Sequence, residues 1–389
     1  MDKNVAKQTQ AVRAGIDTDT QHGAVMPPVY LTSNFSFAGF DQPRPHDYTR
    51  TSNPTRDTLA ETLTELENGA GTTVTATGMG AITLAFQLLN PGDIIVAPQD
   101  CYGGTFRLLH GLADRGLIQV RLVDQTDHAA TGNALAGARL LWVESPTNPL
   151  LRVMDLDKLR SLSREHDVLM AVDNTFLSPA LQRPLDFGAD LVVHSTTKYL
   201  NGHSDIVGGA VVAATPELAE QMAWWANAMG LTGSPFDSFL TLRGIRTLYA
   251  RIAQHEQNAI ALAHFLERSD AVERVFYPGL ESHPGHDIAR RQQRGFGGML
   301  SFELAGGAGA AREFLESVEL FTLAESLGGV ESLACHPATM THATLDPDSQ
   351  KVAGISGGLV RLSVGIEATE DLVRDVLQGL EAAQHATAT

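Results

Sequence analysis

Cysteine is nearly absent: the 389 residues hold only Cys101 and Cys335. Two thiols can close at most one bridge, which excludes a disulfide framework and points to a reducing, cytoplasmic setting. Basic residues are outnumbered, with 28 Lys and Arg against 45 Asp and Glu, and the net charge of −17 repels phosphate backbones and anionic lipid. Nucleic-acid and membrane-surface partners are therefore not expected. No apolar run approaches the roughly 18 to 20 residues of a membrane span, and the residues from Met1 to Gln8 lack the apolar stretch of a signal peptide. No repeat at a fixed period is visible, and no low-complexity excess argues for disorder, collagen or coiled coil. What remains is a globular composition, 43% hydrophobic and 19% charged with 36 glycines. At roughly 150 residues per domain its length suggests two or three domains.

From about residue 72 to 214, short β-branched runs alternate with amphipathic stretches, the pattern of a mostly parallel, doubly wound α/β sheet. Strands are expected at 72–76, 93–97, 119–124, 140–144, 169–173, 191–194 and 210–213. Helical apolar spacing covers 81–89 and 155–166, and a helix-start proline opens 216–230. Residues 1–58, rich in Pro, Asn and Thr, read as an extended arm that needs a surface to lie on. The core is assigned to 59–255 and a smaller C-terminal α/β domain to 256–389. One long helix is expected over 237–268, strands at 272–277, 299–304 and 359–364, and a frayed tail from Ala382.

Two constellations carry chemistry. Gly78-Met79-Gly80 forms a glycine turn between a strand and a helix, where unpaired N–H groups at the positive end of the helix dipole can cradle phosphate. It matches the dinucleotide fingerprint only in part, because Thr83 stands where a third small residue is required, and such a turn is more often only a turn. Asp173 closes one expected strand and Lys198 follows another, so both project at the carboxyl edge of the sheet, where open α/β folds bind ligands. Alone, the first reads as a cap and the second as a solvated lysine. Together with the glycine turn they supply a phosphate cradle, a carboxylate and an amine on one edge. Those are the parts of a pyridoxal phosphate site: an amine to condense with the cofactor aldehyde and a carboxylate to keep the pyridine nitrogen protonated. The hydroxyls of Ser195 and Thr197 add phosphate contacts.

Asp173-Asn174-Thr175 with the run from His194 through Lys198 to His203 resembles the signature of the transsulfuration (Cys/Met metabolism) family of pyridoxal phosphate enzymes. Further matches are Tyr48-Thr49-Arg50, Asn53-Pro54-Thr55-Arg56, Tyr102-Gly103-Gly104, the run 144–149, the run 321–329 and Arg361-Leu362-Ser363. The resemblance implies a fold-type I transferase in which Lys198 holds the cofactor, Asp173 partners its ring nitrogen, and Tyr102 stacks on it and assists proton transfer. It implies phosphate contacts from Gly78, Met79, Ser195 and Thr197, joined by Tyr48 and Arg50 from the arm of a neighbouring subunit, and a homotetramer built from such dimers. Arg361, with Ser326 and Asn148, would hold the α-carboxylate of an amino-acid substrate, a bidentate task suited to a guanidinium.

Within the family, Gly104 stands where methionine γ-lyases carry cysteine, and Glu325 resembles the acidic residue of the γ-synthases and γ-lyases. Trp224-Trp225-Ala226-Asn227 and the run 176–181 look most like the bacterial cystathionine γ-synthase branch. That implies γ-replacement of an O-acylhomoserine, such as O-succinylhomoserine, by cysteine. Thr51 takes the place where some synthases carry a second arginine, leaving Arg107 as the partner for a distal carboxylate and γ-elimination of cystathionine as the alternative. Readings from other classes are a nicotinamide-dependent oxidoreductase built on the glycine turn and a non-catalytic scaffold. No metal is expected: His255-Glu256 begins like a zinc helix, but Ala259 replaces the second histidine. The run 354–358 fits a hydrolase nucleophile pattern but lacks a preceding strand and reads as a loop.

Overall fold

A computed structural model describes residues 5–343 and 347–387. The seven expected strands of the first sheet are present, each end within one residue of its expected position. They are β1 (Gly71–Thr75), β2 (Ile94–Pro98), β3 (Gln119–Val123), β4 (Leu140–Glu144), β5 (Leu169–Asp173), β6 (Leu191–Ser195) and β7 (Gly209–Ala213). Their order is β1-β7-β6-β5-β4-β2-β3. The run from β6 to β3 is parallel throughout, and β7 alone is antiparallel to both of its neighbours.

Alternation along the strands feeds two helical layers. Leu140 and Trp142 of β4 pack with Ala81, Leu84 and Met222 of the helices Gly78–Ala85 and Pro216–Met229. Leu141 and Val143 face the other way, onto Leu156 and Leu159 of the helix Leu156–Glu165. Each such fully buried aliphatic side chain contributes about 1.5–3 kcal/mol of transfer free energy. The helix ends are chemically specified: Asp155 caps one through Lys158 N–H, and Thr215 followed by Pro216 opens another.

A second sheet holds β8 (Val272–Phe276), β9 (Met299–Leu304), β10 (Thr322–Leu323), β11 (Leu333–Cys335) and β12 (Leu359–Ser363), in the order β10-β11-β12-β9-β8. Val360 and Leu362 pack with Phe314 and Val376 of the helices Gly307–Ser317 and Thr369–Thr387. The period of two turns Arg361 to the opposite face. There Ser301 on the neighbouring β9 donates to Pro149 O at 2.7 Å, joining this sheet to the turn after β4.

Three expectations are corrected. The long helix over 237–268 is two, Pro235–Ile245 and Leu248–Glu267. The break follows Gly244, whose backbone comes so near that of Asn201 that an added Cβ would lie 2.1 Å from Asn201 O. The C-terminal helix does not fray at Ala382 but runs to Thr387, with Ala383 buried; positions 388–389 lie outside the described residues. The arm is not wholly irregular, because it carries a helix at Lys7–Val12. Between this and the helix Pro54–Glu67 the chain makes only isolated bridges, Asn34 to Tyr48 and Gly39 to Gln42. The run 354–358 is a loop, as expected.

Candidate active site

The carboxyl ends of β4, β5 and β6 deliver three side chains to one edge. Glu144 and Asp173 are register partners at the ends of β4 and β5; Glu144 is buried and Asp173 partly buried. Burial and the neighbouring Asp173 push the Glu144 carboxyl up, although it accepts hydrogen bonds from Tyr102 N–H (2.8 Å) and the Trp142 indole (3.1 Å). Burial also raises Asp173, opposed by the Thr175 N–H that donates to it at 2.9 Å and by the His194 ring. Thr175 in turn accepts from Ser195 N–H at 2.9 Å, linking the ends of β5 and β6.

Lys198 lies in the turn after β6. Burial first, then the Arg361 charge, lowers its ammonium to about 8, while Glu325 acts in the opposite direction. Its Nζ donates to Ser326 Oγ at 2.6 Å. Ser326 sits at φ +84°, a conformation that costs a non-glycine residue about 1–3 kcal/mol. That conformation lets one residue serve two groups, because its carbonyl accepts from Arg361 Nη2 at 3.0 Å. The other guanidinium arm, Nη1, donates to Asn148 Oδ1 at 2.9 Å, and the buried Arg361 Nε has no partner among the described residues. A fixed guanidinium with donor capacity to spare suits a carboxylate ligand. His342, which no sequence motif marks, is buried here; burial and Arg361 lower its imidazole to about 4, so it stays neutral beside the guanidinium.

The glycine turn opens the helix Gly78–Ala85, with Thr77 capping Gly80 N–H. An added Cβ at Gly78 would lie 2.8 Å from Ser195 Cβ, so only glycine lets this helix start close upon the end of β6. Met79 and Tyr102 close around Gly104, where an added Cβ would meet the Tyr102 ring at 2.5 Å and the Met79 sulfur at 2.6 Å. Tyr102 is 40% exposed, and burial of the rest raises its phenol, opposed by Arg107. The Thr197 hydroxyl accepts from Gly208 N–H and donates to Gly208 O. Within the chain, Tyr48 and Arg50 turn to other partners: Arg50 Nε donates to Asn227 at 3.0 Å and its guanidinium lies over the Tyr48 ring.

Glu144, the first residue of the run 144–149, is a site residue that sequence alone does not single out. Its hold on Tyr102 N–H joins positions 42 apart in sequence, and no local spacing marks such a contact.

A partly buried amine with a depressed ammonium, a carboxylate for a ring nitrogen, a glycine cradle and an unsated guanidinium fit pyridoxal phosphate and an amino-acid substrate. With the α/β layers above, they define a pyridoxal phosphate-dependent enzyme of fold type I. The chain matches the family model for the Cys/Met metabolism PLP-dependent enzymes over residues 8–381 and belongs to that family. It is 54% identical over 377 residues to a cystathionine gamma-synthase of Escherichia coli (strain K12), covering 96% of this chain and 98% of the relative. A cystathionine beta-lyase of Coxiella burnetii is 46% identical over 371 residues, covering 95% and 96%. Among solved structures, a cystathionine gamma synthase from Xanthomonas oryzae pv. oryzae, in complex with cystathionine, superposes with a TM-score of 0.97 at 57% identity, covering 98% of this chain and 99% of that one. No helix among the described residues is long and apolar enough to cross a membrane.

Proposed function

We propose that this enzyme catalyses γ-replacement, joining an O-acylhomoserine to L-cysteine to give L-cystathionine and the free acid. The observation that carries the reading is the cluster of Lys198, Ser326 and Arg361, with Nζ bonded to Ser326 Oγ and the guanidinium bonded to Ser326 O. Pyridoxal phosphate, when bound, condenses with an amine and accepts the electron pair released when Cα loses its proton. Lys198, Asp173, Gly78, Met79 and Ser195 would hold it, and Asp173 would keep a proton on its ring nitrogen. Arg361 and Asn148 would fix the substrate α-carboxylate, so that Lys198 Nζ takes the proton from Cα and then one from Cβ. Tyr102, held through its N–H by Glu144, would stack on the cofactor ring and assist those transfers. The acid leaves from Cγ, the cysteine sulfur takes its place, and protons return to Cβ and Cα.

Glu325, whose charge acts on both Lys198 and Tyr102, resembles the acidic residue of the γ-synthases and γ-lyases, which favours γ-chemistry over the β-elimination named for the Coxiella relative. Gly104 counts against a methionine γ-lyase, which carries cysteine there: an added Cβ would meet the Tyr102 ring and the Met79 sulfur. A second reading, γ-elimination of cystathionine, rests on Thr51, which leaves Arg107 to meet a distal carboxylate. Incubation with O-succinylhomoserine and cysteine, and separately with cystathionine, separates the two. Cystathionine formed faster than 2-oxobutyrate is released supports the synthase; dominant release of cysteine and 2-oxobutyrate from cystathionine overturns it.

A further inference from the structure

Beneath the site lies a fully buried acid and imidazole that no step above uses. Glu67 ends the helix Pro54–Glu67, and its Oε1 receives both the His194 Nε2 hydrogen bond at 2.7 Å and the Asn174 Nδ2–H at 3.0 Å. All three residues are 0% exposed. Asn174 directly follows Asp173 on β5, and His194 directly precedes Ser195 on β6, so one carboxylate oxygen grips the carboxyl ends of both strands that deliver cofactor contacts. The grip extends through Asn174, which donates to Gln182 O at 2.7 Å, and Gln182 donates to Ser145 O, next to Glu144 on β4. Glu67 Oε2 and His194 Nδ1 have no hydrogen-bond partner among the described residues. Burying an acid in this way costs free energy that an apolar pair would not.

We infer that Glu67 and His194 form a positioning pair for the cofactor, holding Asn174 and the end of β6 so that Asp173 and Ser195 keep the spacing the bound ring and phosphate require. The inference rests on the reading of Asp173 and Ser195 as cofactor contacts. Neither residue of the pair touches the reacting atoms. The pair acts through its neighbours, as supporting residues do around other preorganised sites.

The measurement is the affinity of the full-length apo-protein for pyridoxal phosphate, with its thermal midpoint recorded in parallel. E67M and H194L should each weaken cofactor binding about tenfold or more, the scale of one buried hydrogen bond broken and its partner left unpaired. E67Q keeps an Oε1 that can accept both bonds and should stay within about threefold of the parent. The double variant E67M/H194L should bind no more weakly than the worse single variant, because both remove one interaction. D190N is the control: Asp190 sits at the amino ends of the same two strands, accepting Met170 N–H at 2.7 Å and Arg160 Nη1 at 3.0 Å, so removing its charge should lower the midpoint and spare cofactor affinity. E67M and H194L that lose stability yet bind cofactor like the parent overturn the inference, as does D190N losing affinity in step with them. D173N separates the underlying reading: if it leaves affinity unchanged, the assignment of Asp173 falls and the pair's role falls with it. If D173N weakens binding while H194L does not, only the inference falls. Should the apolar variants not fold, the ¹⁵N-histidine-labelled parent decides. The imidazole resonance that E67Q perturbs should shift on adding pyridoxal phosphate, and a resonance that does not move overturns the inference.

Discussion

Lys198 shows how burial turns an ordinary side chain into a reagent. An exposed lysine holds its proton to about 10.4, so very little free amine is present near neutrality. Burial and the Arg361 charge bring this group to about 8. Because the shift is downward, the neutral amine dominates above that value and falls about tenfold for each pH unit below it. The rate at which apo-protein takes up pyridoxal phosphate, followed by cofactor absorbance, should therefore climb up to about pH 8 and level off beyond it. A rate still rising steeply through pH 10 would mean that Lys198 titrates as a solvated lysine. At this scale the sequence was informative where chemistry follows a strand end, as at Asp173 and Lys198. It was silent on Glu67, whose partners Asn174 and His194 are distant in the chain, on the hold of Glu144 on Tyr102 N–H, and on His342, which only burial beside Arg361 sets apart.

At the scale of elements, legibility followed locality. Strands of β-branched residues and helices opened by Asp155 or Pro216 declared themselves, because period and cap are written in neighbouring positions. The helix Pro54–Glu67 carried the same kind of mark in Asn53, which caps it by accepting Thr55 N–H, and in the proline at its first position. The break near Arg246 had no such mark, since the apolar spacing of 237–268 continues across it. It is imposed from outside by the turn after Lys198: Gly244 lies against Asn201, and Arg251 of the following helix donates to Tyr199 O at 2.9 Å and Gly244 O at 2.8 Å. Gly244→Ala tests this. The new methyl would meet rigid backbone rather than a movable side chain, so the substitution should cost about 1–3 kcal/mol as overpacking. Calorimetry should show a midpoint lower by several degrees, and cofactor affinity should fall as the Lys198 turn is displaced. A variant with the parent's midpoint would show that the close approach is not a constraint.

At the scale of the whole molecule, the charge of −17 meets an anionic cofactor and anionic substrates, so the site must collect its cations locally. Arg361 is in place within the chain, whereas Arg50 is exposed on the arm and bonded to Asn227. The arm also leaves Val25, Leu31, Phe37 and Phe40 exposed, Phe40 at 101%, an amount of apolar surface that a chain folding alone would be expected to cover. We propose that the arm lies on a second copy and that Arg50 completes the phosphate site of that copy. The arrangement makes a prediction that one-chain sites cannot meet. Lys198→Ala and Arg50→Ala should each inactivate their own homo-oligomer. Co-expressed, they form mixed pairs in which one site joins an intact Lys198 to the partner's intact Arg50 while the other site lacks both. Random pairing makes half of the dimers mixed and half of their sites whole, so activity should recover to roughly a quarter of the parent's. The activity of the co-purified mixture is compared with that of each variant alone. Recovery near that level supports a shared site; a mixture as inactive as its components places Arg50 outside the partner's chemistry.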